Sequence, residues 1–164
     1  FLKNSKKANL TKEEKGMDHV KKAEAYFNNN FNCSQAVFTT FATELGIEEE
    51  LALKIATQFG GGARKGEMCG AVAGALMVLG LKYGHCHAED NTEKSNAYHI
   101  AEDFMNRFVA EKGTVVCREL LGYDISKKED MEEIKKQGLF KVTCPEMIAC
   151  AAKIVEQMIC ELDK

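Results

Sequence analysis

No two cysteines in this chain are spaced Cys-x-x-Cys, although seven cysteines stand among its 164 residues. That absence removes the strongest sequence signals for zinc and for a thioredoxin-type site. The odd count argues against a simple closed disulfide framework. An excess of basic charge is also missing. The formal charge is −3, so there is no footprint for nucleic acid, and the lysines of residues 3–15 are a local exception. The longest apolar run, Ala71 to Leu81, falls well short of the ~20 residues that span a bilayer. No membrane insertion is expected, and the run reads as a core helix. Residues 1–16 lack the apolar h-region of a secretory signal, and the expected location is cytoplasmic. The first residue is Phe1, so the chain is expected to start inside a longer product or after processing. No stretch alternates with period two for long enough to build a sheet. Residues 17–164 hold no internal repeat, low-complexity segment or linker.

What is present is helical. Hydrophobic residues make up 45% and charged residues 29%, the balance of a soluble globular domain. The length suits one domain rather than two. After a flexible, lysine-rich lead-in over residues 1–16, apolar residues at helical spacing predict a first helix from Met17 to Asn29. Asn32 is placed to cap a second helix that Gly46 ends. A third runs from Glu48 to Phe59, and a fourth, apolar almost all round, from Glu67 to Tyr83-Gly84. The fifth spans Thr92 to Glu111, with Tyr98, Ala101, Met105 and Phe108 on one face and Phe104 beside it. Thr114 is a candidate cap for a short sixth helix ending at Leu121-Gly122, where Val115 and Val116 leave a brief strand open. Ser126 and Glu129 fit a capping box for a charged helix from Lys127 to Gln137. The last helix is expected to begin at Thr143-Cys144-Pro145, where the chain's single proline is tolerated. The fold expected is all-α: one compact bundle of about six to eight helices over residues 17–164, with a glycine-rich loop leading into a central buried helix.

That loop, Phe59-Gly60-Gly61-Gly62-Ala63-Arg64-Lys65-Gly66, runs into Cys69-Gly70-Ala71-Val72-Ala73-Gly74. Glycine inside a helix costs about 1 kcal/mol relative to alanine, so Gly70 and Gly74 imply close approach by another group. It is no P-loop, because Glu67 follows Gly66 where Lys-Ser/Thr is needed. Arg64 and Lys65 remain available to an anion, and Glu67 is a possible proton acceptor for Cys69. Four cysteines share a location: Cys33 after Asn32, Cys69 at the loop-to-helix junction, Cys117 after Thr114, and Cys144 before Pro145. Each is expected in the first turn, or at the cap, of a helix. There the unpaired amides and the dipole favour a thiolate, lowering a cysteine pKa toward the ~3.5–7.5 range. The same placement suits thiolates gathered around a metal. Cys150 and Cys160 read as packing residues. His85-Cys86-His87 reads as a solvated loop that could bind a soft ion only with help. His19 and His99 carry no mark of a catalytic base.

On these residues the chain resembles the C_GCAxxG_C_C family of redox-active proteins of bacteria and archaea. The motif stands as Cys69-Gly70-Ala71-Val72-Ala73-Gly74. The Phe-Gly-Gly-Gly lead-in matches Phe59 to Gly62, and the first cysteine's context matches Asn32-Cys33-Ser34-Gln35-Ala36. The third context is Cys117-Arg118-Glu119-Leu120-Leu121-Gly122 and the fourth is Cys144-Pro145. The resemblance covers residues 20–160 and implies a redox role, without naming a substrate.

Three readings follow. In the first, Cys69 is the attacking thiolate and Cys33, Cys117 or Cys144 resolves it as a disulfide. In the second, the same four thiolates hold zinc, another metal or an iron–sulfur cluster. In the third, the cysteines only pack. Gly70 and Gly74 give clearance around the centre in the first two. The redox partner is not readable, and a homodimer is left open.

Overall fold

The computed structural model describes residues 12–164. The described residues form eight α-helices: α1 (Lys12–Asn28), α2 (Cys33–Ala42), α3 (Glu49–Ala56), α4 (Gly70–Tyr83), α5 (Asn91–Lys112), α6 (Cys117–Leu121), α7 (Lys128–Gln137) and α8 (Leu139–Leu162). No strand forms among them, and the all-α reading holds. Val115-Val116 contributes a single antiparallel bridge, between Met68 and Val116. No helix is long and apolar enough to cross a membrane. Helix α1 begins inside the expected lead-in; residues 1–11 of that lead-in lie outside the described residues.

Two helices make the centre. The α4 helix buries Gly70, Ala71, Val72, Gly74, Ala75, Val78 and Leu79. The α2 helix is buried along its whole length, from Cys33 to Ala42, although Ser34, Gln35, Thr39 and Thr40 make it look amphipathic. Close contact explains this. A Cβ added at Gly74 would lie 2.8 Å from the Ser34 carbonyl oxygen and 3.2 Å from the Phe38 nitrogen. The absent side chain lets the two backbones meet. The polar groups of α2 are partly satisfied locally: Thr40 Oγ1 donates to the Ala36 carbonyl at 2.8 Å, and Gln35 Nε2 donates to the Leu53 carbonyl at 3.0 Å.

The other helices wrap this pair. On α5 the buried line is Phe104 and Phe108, with ring centroids 6.2 Å apart. Tyr98 points outward at 58% exposure, so the apolar face is rotated from the one expected. His19 joins three helices. Its ring stacks on Phe41, Nε2 lies 2.9 Å from Glu44, and Nδ1 lies 2.7 Å from Glu156 of α8. The expected capping box at Ser126 does not form. Lys127 is the N-cap of α7 without a side-chain bond, and Ser126 donates to Asp124 instead.

The last helix departs most from expectation. It begins at Leu139, so Pro145 lies inside it. Proline in a helix interior removes one backbone bond, and Thr143-Cys144-Pro145 mimics a helix start without being one. Apolar side chains form two clusters. The larger includes Cys33 and Cys69. The smaller contains Cys117, Leu121, Ile125 and Ile134, with Phe140 and Cys144 packed on it.

Candidate functional site

The four cysteines come together at the seam between these clusters. Cys33, Cys69, Cys117 and Cys144 all line one cavity of about 320 Å³. Each arrives from a different helix.

Cys33 is placed by a reciprocal cap. Gln35 N–H donates to Asn32 Oδ1 at 3.0 Å, and Asn32 N–H donates to Gln35 Oε1 at 3.0 Å. Asn32 Nδ2 also donates to the Thr57 carbonyl at 2.8 Å, and a Cβ at Gly60 would collide with the Asn32 side chain. The Asn-Cys-x-Gln sequence therefore makes Cys33 the first residue of α2 and docks that end on the glycine loop. A Cβ on Gly70 would collide with Cys33 Sγ. Gly70 is the clearance that lets the Cys33 sulfur reach the start of α4.

Cys69 is the N-cap of α4. Its backbone N–H donates to the Val115 carbonyl at 2.7 Å, and the Cys117 N–H donates to the Glu67 carbonyl at 2.6 Å. These bonds flank the Met68–Val116 bridge and stitch the loop to the start of α6, where Cys117 is the first residue. Val116, rather than Thr114, is the N-cap of α6. Cys144 approaches from α8. It lies beyond that helix's first turn, so the expected helix-start position holds for three of the four cysteines and not for this one.

Burial reverses the acidity expected of helix-start thiols. It pushes the Cys69 thiol up to about 12, with the Cys33 sulfur adding to the rise; the Val72 and Ala71 amides pull the other way and lose. Burial pushes Cys117 up to about 11, helped by Cys33 and opposed by the Arg64 guanidinium. Burial raises Cys144 as well, followed by Cys33, Cys69 and Cys117. Removing an anion from water costs more than a helix terminus returns. The same couplings show that the sulfurs feel one another. All seven cysteines are unpaired thiols.

No three His, Cys, Asp or Glu side chains among the described residues are set to grip one metal ion. His85, Cys86 and His87 thus make no ready site, and Cys86 is exposed. Cys150 and Cys160 are half-buried and do not line the cavity. The Glu67 carboxylate pairs with Arg118 at 2.6 Å. Arg64 lines the cavity; Lys65 does not.

The loop that delivers Cys69 is strained. Gly61, Gly62, Ala63, Arg64 and Gly66 all have positive φ. Alanine and arginine rarely adopt this region, and they do so where surrounding structure imposes it. The flanking glycines announce a tight turn in the sequence; that the turn carries Ala63 and Arg64 into left-handed geometry is not legible there.

A family model described as "Putative redox-active protein (C_GCAxxG_C_C)" matches residues 31–158. The chain belongs to this family. The match spans all four cavity cysteines and the glycine loop of this C_GCAxxG_C_C protein. No curated protein and no solved structure matches it.

Proposed function

We propose that this protein is an electron carrier whose Cys33, Cys69, Cys117 and Cys144 hold an iron–sulfur cluster in the shared cavity. The observation that carries this reading is the convergence of four thiols from four helices, three of them buried and Cys144 half-buried. Bringing four such sulfurs together as anions is unfavourable without a cation. Metal coordination deprotonates thiols and supplies that cation. The donor set is the usual one for a cluster. Such a group supplies reversible one-electron transfer when bound. The Asn32–Gln35 cap and the Gly70 clearance would position the Cys33 sulfur, the Met68–Val116 bridge those of Cys69 and Cys117, and the packing of α8 on the smaller cluster that of Cys144.

A second reading is favoured by one contact. The Cys33 sulfur lies against the place a Cβ of Gly70, the residue after Cys69, would take, which suits a Cys33–Cys69 dithiol that oxidises to a disulfide. Its weakness is the raised pKa of Cys69, since the thiolate is the reactive species.

Anaerobic purification with iron and sulfide analysis tests the first reading. It predicts bound iron and inorganic sulfide, visible absorption, and loss of both on Cys69→Ser. Iron-free protein that loses two titratable thiols under mild oxidant, reversibly, supports the second reading instead.

A further inference from the structure

We propose that Arg64 sets the reduction potential of the four-cysteine centre, its guanidinium offsetting the negative charge gathered there. This rests on the cluster reading above. Among the residues lining the cavity, Arg64 is the single cation, and no carboxylate lines it. The neighbouring Arg118 is occupied by Glu67. Arg64 enters no ion pair among the described residues, so its charge is uncommitted.

The backbone is bent to put it there. Arg64 has φ 63° and ψ 14°, and Ala63 before it has φ 51° and ψ 36°. The non-glycine residues with positive φ among those described are Asn30, Ala63 and Arg64, and Asn30 and Arg64 both line the cavity. A glycine would adopt this turn at lower cost, yet the position carries an arginine. The side chain folds back over the loop: a Cβ on Gly61 would lie 3.0 Å from Arg64 Nη1 and 2.6 Å from Ile125 Cδ1. Gly61 thus clears the path for the guanidinium. Asp124, which bonds Ser126 at 2.7 Å, is the acidic group that acts on Cys117 in the opposite sense.

One-electron reduction adds a negative charge to the centre, and a nearby cation stabilises the reduced state more than the oxidised one. The test is a mediated redox titration of the anaerobic full-length protein and its variants. Arg64→Gln is expected to make the midpoint more negative, with the reduced-to-oxidised ratio at fixed ambient potential falling about tenfold, or ~59 mV for one electron. Arg64→Lys should keep most of the wild-type potential. Added salt should narrow the gap, since Arg64 is exposed at the mouth and screening acts there. Ala63→Gly, which relaxes the turn without touching the charge, should leave the potential unchanged and raise the melting temperature. Equal potentials for wild type and Arg64→Gln, or an equal shift on Ala63→Gly, overturn the inference. Wild-type protein without iron overturns it together with the cluster reading; iron with an unmoved potential overturns it alone.

Discussion

Gly70 shows how one missing side chain fixes chemistry. A Cβ there would collide with the Cys33 sulfur and lie 3.0 Å from the Phe59 carbonyl oxygen. Gly70→Ala should therefore destabilise the protein by about 1–3 kcal/mol through overpacking, measured by denaturant unfolding, and should lower iron content by displacing Cys33. The thiols give a second prediction at this scale. Burial pushes the Cys69 and Cys117 thiols up to about 12 and about 11, above the ~8.5 of a free thiol. The fold thus favours their neutral form. That stability is fully present below pH ~8.5 and is lost as pH rises toward 11–12. Metal-free protein should unfold more readily across that window, as followed by circular dichroism. At neutral pH, mass-spectrometric mapping of alkylation should find the exposed Cys86 modified well before Cys69. Equal rates would contradict the burial argument. Helix-start signals in the sequence pointed to the four cysteines that share the cavity, although for Cys144 the signal was Pro145, which lies inside α8. The sequence did not show the direction of their acidity, because helix-start position is local and burial is set by the whole packing.

At the scale of elements, the α2–α4 contact organises the bundle, and two glycines of α4 separate its causes. Gly74 faces the backbone of α2; Gly80 has nothing within 4 Å of an added Cβ. Gly80→Ala should stabilise by about 0.5–1 kcal/mol through helix propensity alone. Gly74→Ala gains the same propensity, but its Cβ meets the Ser34 carbonyl and the Phe38 nitrogen, so it should destabilise by about 1 kcal/mol or more. Paired denaturant curves check both, and two values of the same sign would contradict the packing account. Helix type and order were readable along the chain, since hydrophobic spacing and glycine stops are local signals. Two features were hidden by tertiary context. The polar residues of α2 are buried because α4 offers a bare face. Helix α8 begins well ahead of its proline because Leu139 and Phe140 pack on the smaller cluster with Cys144.

For the whole molecule, the centre lies where the two hydrophobic clusters meet, so folding assembles it. Cys33 and Cys69 belong to one cluster, and Cys117 and Cys144 to the other. A ligand that binds all four sulfurs ties the clusters together and stabilises the native state by mass action. On the proposed cluster reading, chelation of the metal should lower the melting temperature and broaden the transition as the α6–α7 region loosens from the rest; scanning calorimetry of metal-loaded and chelated protein checks this. The family match covers residues 31–158, and the cavity cysteines come from elements between α2 and α8 rather than from one local loop. The central claim is that four cysteines form one metal centre. Iron and acid-labile sulfide analysis of anaerobically prepared protein, alongside its visible spectrum, tests it most directly. Bound iron and sulfide with visible absorption, all lost in Cys33→Ser, Cys69→Ser, Cys117→Ser and Cys144→Ser alike, is the result expected. Iron-free protein with all four thiols titratable would contradict it.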